Sequence, residues 1–471
     1  MTEALETNNN HTKENKMGTM PTNKLLITMS LPMIISMLVQ ALYNIVDSIF
    51  VAKISENALT AVSMAFPVQS LMIAFAAGTG VGINSFLSKS LGEKKFKQAS
   101  DSAKNGIFLA FITWIAFAIL GFFFSEFFYT AMTDDKEIIA FGTSYLKIVT
   151  VASLGVFMQI TFERLLQSTG KTIYSMIMQG TGAIINIIFD PILIFGLFGF
   201  PKMGVKGAAV ATVLGQIIAM IMGAILNTVK NKEINVNLKG FRPSGHLIKK
   251  IYAVGFPSII MQSVTSVMTY LLNKICISFT PTAVSVVGIY FKLQSFIFMP
   301  IFGLTNGLVP IVAYNFGAKY KSRIISVLKL AVIISISYMA LGVIIFWTIP
   351  QVLFGFFEAS NEMLNIGIPA LRLISLSFIP AGFCIIIISA FQALGHGVYS
   401  LIISVARQLI VLIPVAYISS KIIGLKAVWG AFPIAEIMSL LLCIIFSRKV
   451  YKTTVAVIDE SPAQAIEKEN E

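Results

Sequence analysis

Two carboxylates stand alone inside long apolar stretches, Asp47 in ALYNIVDSIFVA and Asp190 in NIIFDPILIF. An acid in such a setting costs several kcal/mol unless it is neutralised, paired or facing water, so its default chemistry is to take up a proton or hold a cation. Asn186 lies one helical turn before Asp190 and on the same face. Pro191 has no N–H to give the carbonyl of Ile187, which leaves an oxygen available to an ion or a water. Tyr145 and Thr212 fall at a similar depth in their own apolar stretches. Asp47, Asp190, Asn186, Tyr145 and Thr212 are therefore candidates for one site that exchanges H+ or Na+. If the two acids approach each other, one shared proton or one Na+ relieves their repulsion.

A polar stripe leads to Asp47. Gln40, Tyr43 or Asn44, and Asp47 follow the three-or-four spacing of one helix face, and such a face points away from lipid. Gln69 and Gln294 occupy equivalent places in an internal repeat described below. With Met64, Met261, Met268, Tyr290 and Phe291 they are candidates for a central cavity, since adaptable thioether and aromatic side chains suit the wall of a promiscuous site. Glu163, beside Arg164 near a helix end, reads equally well as a solvated or locally paired interface residue and as a functional one. Glu436 divides in the same way between the substrate route and a structural hydrogen bond.

The elements that position these residues span a membrane. The chain has 471 residues, 56% hydrophobic and 12% charged, with a mean hydropathy of +0.83, too apolar for a soluble globular protein. Apolar runs of about 20 residues or more, enough to cross about 30 Å of hydrocarbon, recur twelve times: 25–51, 57–88, 104–128, 138–167, 173–199, 206–228, 250–279, 283–314, 325–349, 363–394, 398–420 and 427–447. Residues 1–23 and 449–471 are polar tails, and 229–249 is a polar linker.

A fixed offset of 225 residues lays Pro32 on Pro257, Gln69 on Gln294, and Gly78, Gly82 and Gly92 on Gly303, Gly307 and Gly317. Six spans per half return the chain to its starting side, which predicts two parallel six-helix repeats, an N-lobe at 24–228 and a C-lobe at 250–448, around a central cavity. The small residues of 75–82 and 302–309 permit close helix approach. The acids break the symmetry, because Asp47 falls on Leu272 and Asp190 on Val415.

Loops after the second, fourth, sixth and eighth spans hold fifteen bases against Glu93, Asp101 and Glu233, while the other loops are balanced. Basic loops stay inside, so both termini are expected in the cytoplasm. The net charge of +13 reads as this asymmetry and as contact with anionic membrane lipids, in preference to nucleic acid. Cys276, Cys384 and Cys443 sit in apolar spans without CxxC pairing and read as core filling. No GxxxxGK[ST] loop supports ATP hydrolysis, and the spans hold no Ser/His or metal-ligand constellation of an enzyme.

At YNIVDSIFVAKISENALTAVS (43–63), FERLLQSTGK (162–171), NIIFDPILIFG (186–196), RQLIVLIP (407–414) and GLKAVWGAFPIAEI (424–437), the sequence resembles the multidrug and toxic compound extrusion (MATE) family, over roughly residues 24–448. The resemblance implies two lobes in a V, export of organic cations or other amphiphilic drugs, and antiport driven by inward H+ or Na+. The expected setting is a bacterial inner membrane, with the protein a monomer and no cofactor beyond the coupling ion. It also implies a cation site at Asp47, Asn186 and Asp190. A flippase for lipid-linked precursors, with a more cationic cavity, is the alternative.

Overall fold

A computed structural model describes residues 15–357 and 359–459. Ten helices are long and apolar enough to span a membrane unbroken: α1 (Thr22–Ala52), α2 (Glu56–Gly92), α3 (Phe96–Thr130), α5 (Thr172–Phe195), α6 (Val205–Val229), α7 (Gly245–Ile277), α8 (Pro281–Gly317), α9 (Lys321–Thr348), α11 (Gly397–Ile422) and α12 (Leu425–Val455). The expected spans 138–167 and 363–394 are not single rods. Each is a bent pair, α4 (Lys136–Val151 and Leu154–Ser168, 44°) and α10 (Asn361–Ser375 and Phe378–Ala393, 49°). The bends lie 224 residues apart, within one residue of the repeat offset, so the repeat extends to its kinks. With each bent pair counted as one span, the fold is the expected twelve-helix, two-lobe membrane architecture.

The lobes meet mainly where α2 packs on α7, and where α8 packs on α1 and α2. The repeated glycines make these approaches. A side chain at Gly78 would run into Ile259 (2.5 Å), and one at Gly303 into Ile34 (2.6 Å). Gly82 rests on the backbone of Gly255 and Gly307 on Ser30, while Gly92 touches the Tyr314 carbonyl and Gly317 the Lys89 carbonyl. Each of these contacts has its mate across the 225-residue offset.

These contacts run from the end of the molecule that carries the first turns of α1 and α7 and the last turns of α2 and α8 to about the middle of those helices. Ser85 donates across the seam to the carbonyl of Gln392 at 2.8 Å, and Ser30 to that of Leu304 at 3.2 Å. The apolar core divides accordingly. One continuous cluster runs from the N-lobe through Ile251, Leu304 and Ile311 into the C-lobe. A second, around Leu272, Tyr290, Phe354 and Trp429, belongs to the other end of the C-lobe alone. The lobes are thus joined at the terminus-bearing face and separate toward the opposite one.

Two expectations about the tails need correction. Residues 15–20, expected in a polar tail, include a short helix, Lys16–Thr19, whose Met17 is fully buried against the membrane helices. Helix α12 continues through Val455, past the expected boundary at 448, because Val450 and Val455 bury against the lobe. Residues 1–14 and 460–471 lie outside the described residues.

Candidate functional site

The five residues expected to form one cation site come together inside the N-lobe. Asp190, in α5, is fully buried, and Asp47, near the open end of α1, is half-buried. Their carboxyl groups face each other closely enough for one to hydrogen-bond the other. Asn186 Nδ2 reaches Asp190 Oδ1 and Thr212 Oγ1, both at 3.4 Å. With its amide turned over, Asn186 donates to Asp190 Oδ2 at 3.3 Å and accepts from the Thr212 N–H at 3.2 Å, so the amide bridges α5 to α6 in either sense.

The packing that puts them there follows from small residues. Gly182 of α5 and Gly215 of α6 press backbone to backbone, and a side chain at Gly215 would meet the Gly182 carbonyl at 2.6 Å. That close approach sets Asn186 opposite Thr212 one turn farther along. Pro191 sits inside α5 immediately after Asp190, where it withholds a donor from the Ile187 carbonyl.

Three residues expected to line the substrate cavity belong to this N-lobe network. Gln69 Nε2 donates to the Tyr145 hydroxyl at 3.1 Å, and Gln179 Nε2 donates to Gln40 Oε1 at 3.0 Å. Tyr43 stands within electrostatic reach of both acids, and Tyr145 within reach of Asp47 and Tyr43. Gln179, which no repeat match singled out, is the residue that sequence reasoning missed. Its place one helical face from Asn186 and Asp190 was the available signal. Among the described residues, Asp47 Oδ1 and Gln179 Oε1 are buried acceptors without a hydrogen-bond partner. A carboxylate oxygen without a donor, beside a second carboxyl, an amide and a hydroxyl, is suited to a proton or a small hard cation.

The other cavity candidates scatter. Met64, Phe291 and Gln294 are half-buried, and Met261 is too, its sulfur accepting from Gln392 Nε2 at 3.8 Å. Met268 and Tyr290 do not present a surface to a cavity in this conformation, being only 6% and 1% exposed. Tyr290 turns inward because its ring meets the edge of Phe432 at 5.7 Å. The side chain of Asn44 lies outside the described residues.

The two ambiguous acids are both buried. Glu163 is 4% exposed, which rules out a solvated interface role, and it accepts from Gln167 Nε2 at 2.7 Å. Arg164 crosses the seam, donating through Nη1 to Gln167 Oε1 at 2.8 Å and to Asn306 Oδ1 of the C-lobe at 2.9 Å. Glu436 pairs with Arg407 Nη1 at 3.4 Å, and Arg407 lies in a wide π-helical turn, Ala406–Leu412.

The MatE family model matches residues 32–192 and 257–418, once in each lobe. The chain belongs to the MATE transporter family. The MATE relatives include the multidrug export protein MepA of Staphylococcus haemolyticus, 26% identical over 414 residues that cover 88% of this chain and 90% of that protein. They also include the FAD transporter of Shewanella oneidensis, 24% identical over 91% of this chain and 95% of that one. Among solved structures, the outward-facing conformation of a multidrug resistance MATE family transporter superposes with a TM-score of 0.88 at 25% identity, covering 94% of this chain and 99% of the other. A MOP superfamily transporter from Pyrococcus furiosus with a binding pocket of reversed polarity also gives 0.88 at 25% identity, over 96% of this chain and 99% of the other. For this MATE transporter the superpositions support the two-lobe membrane architecture.

Proposed function

We propose that this protein exports organic cations by antiport, with H+ or Na+ entering at the Asp47–Asp190 site as the coupling ion. The observation that carries the reading is the pairing of a buried Asp190 with Asp47, whose Oδ1 has no donor, beside Asn186 and Thr212 in one lobe only. Two carboxyls this close favour a state with one proton or one cation between them. Loading that site changes the charge between α1 and α5, and the cation then biases one lobe arrangement over the other by its differential affinity.

Drugs as cargo are supported by the names of the MepA relatives. The relatives also include an FAD transporter; an anionic cargo of that kind, like a lipid-linked precursor, would ask for a basic cavity. In the C-lobe, Arg407 is already paired with Glu436, which favours cations. The expected setting is a bacterial cell membrane, with both termini and the joined face in the cytoplasm.

The test is transport by the purified protein in proteoliposomes. Efflux of ethidium or tetraphenylphosphonium driven by an imposed proton or sodium gradient supports the reading. A gradient-independent flux, or transport of an anion in place of the cation, contradicts it.

A further inference from the structure

The segment ahead of α1 is docked in a groove whose two walls belong to different lobes. On the N-lobe side, Asn15 Nδ2 donates to the Thr169 carbonyl at 3.1 Å, and Lys16 lies along Gly170. On the C-lobe side, Asn315 Nδ2 donates to the Met17 carbonyl at 3.0 Å, and Arg323 Nη2 donates to the carbonyls of Met20 at 2.6 Å and Met17 at 3.3 Å. Arg323 is itself steadied by Nε donating to Asn315 Oδ1 at 3.1 Å. Between the walls Met17 is fully buried, and Gly18 lies so close to the Tyr314 ring that a Cβ there would stand 3.0 Å away.

A four-residue helix has no stability of its own. Lys16–Thr19 is ordered by the cap that Asn15 Oδ1 supplies to the Met17 N–H, at 3.0 Å, and by the two walls. The C-lobe has a counterpart. The stretch ahead of α7 crosses to the N-lobe, where the Ser244 N–H bonds Asn105 Oδ1 at 3.0 Å and Phe241 packs on Phe108. That stretch is held covalently at both ends, between α6 and α7.

We infer that residues 15–20 form a releasable latch that holds the terminus-bearing face closed. A segment bound to both walls of a groove cannot stay bound when the walls separate, so its docking energy belongs to the closed-face state alone and shifts the lobe equilibrium by that amount. Transport requires the latch to undock on one side in each cycle. The groove is then also the place where anything that competes for the segment would promote opening.

The experiment measures spin-label distances in the full-length protein in nanodiscs, with labels at Lys230→Cys and Arg448→Cys, exposed ends of α6 and α12 in different lobes. The three native cysteines are buried. The intact chain is expected to give mainly the short distance of the closed face. Met17→Asp, and deletion of residues 2–20, should raise the ratio of long-distance to short-distance populations by about tenfold, and Asn15→Ala should raise it by less. Should the deletion fail to accumulate, the two point variants give the same reading with the chain intact. Distance distributions for Met17→Asp and Asn15→Ala that match the unaltered protein would overturn the inference.

Discussion

Gly78 of α2 and Gly303 of α8 are two-fold mates: Gly78 lies on Ile259 and Gly303 on Ile34, and the two glycines, like the two isoleucines, stand 225 residues apart. The joined face of the transporter is therefore built twice from one pattern, and its strength depends on the absence of a Cβ. Gly82→Val and Gly307→Val should each weaken the closed face by about 1–3 kcal/mol, the usual cost of overpacking. Gly288→Ala in the same α8 is the control, since nothing lies within 4 Å of a Cβ there. Thermal unfolding of the three variants in detergent checks this, with Gly288→Ala at or above the parent.

The ties across the seam are also polar. Removing the Arg164 guanidinium by Arg164→Leu strands Asn306 Oδ1 and Gln167 Oε1, each of which it now satisfies. A buried acceptor left without its donor costs about 1–3 kcal/mol, so this variant should lose more stability than Arg164→Lys. A denaturation series comparing the two tests it.

Acid should loosen the far end of α12. His396 lies in the turn between α10 and α11, its Nε2 at 2.9 Å from Thr454 Oγ1 and its ring stacked on Tyr399. Burial first, and then the Lys89 ammonium, lower its pKa below the ordinary 6.5. The folded state thus prefers the neutral ring. Stability from this group is fully present above 6.5 and is lost as pH falls through the lower folded value. Between neutral pH and about pH 5, the parent should lose thermal stability that His396→Gln retains, and equal losses in both would contradict the assignment.

The division of labour between lobes predicts an asymmetry in function. Asn186→Ala and Asp190→Asn should abolish gradient-driven efflux, whereas Val411→Ala and Val415→Ala, their mates in the repeat, should leave most of it. Initial efflux rates at matched protein levels decide this, and equal losses from both lobes would refute it.

The lobes, the pseudo-symmetry and the partners of Asp47 were legible because they depend on hydrophobic length, on small residues at fixed offset and on the cost of a buried charge. Those signals are local or periodic. What stayed hidden depends on tertiary neighbours. Nothing in MTEALETNNNHTKENKMGTM marks Met17 for burial, since the groove that covers it is assembled from Thr169, Tyr314 and Arg323. Glu163 was ambiguous for the same reason, its surroundings being set by Gln167 on its own helix and by the seam that Arg164 crosses. Tyr290 and Met268 read as cavity wall from their residue types, but their direction was decided by Phe432 and the C-lobe core. The bend in α4 falls at a SerLeu junction without a proline and that in α10 at a SerPhe junction two residues before Pro380, and a hydropathy run runs straight through both.

The most direct test of the account is coupled efflux by Asp47→Asn. The amide preserves volume but neither carries a proton nor neutralises a cation, and Leu272 in the other lobe offers no substitute. In proteoliposomes with an imposed proton or sodium gradient, the folded and inserted variant should bind organic cation yet show no gradient-driven flux. Efflux at the parent's rate, with the same dependence on the gradient, would contradict the assignment of Asp47 to the coupling site.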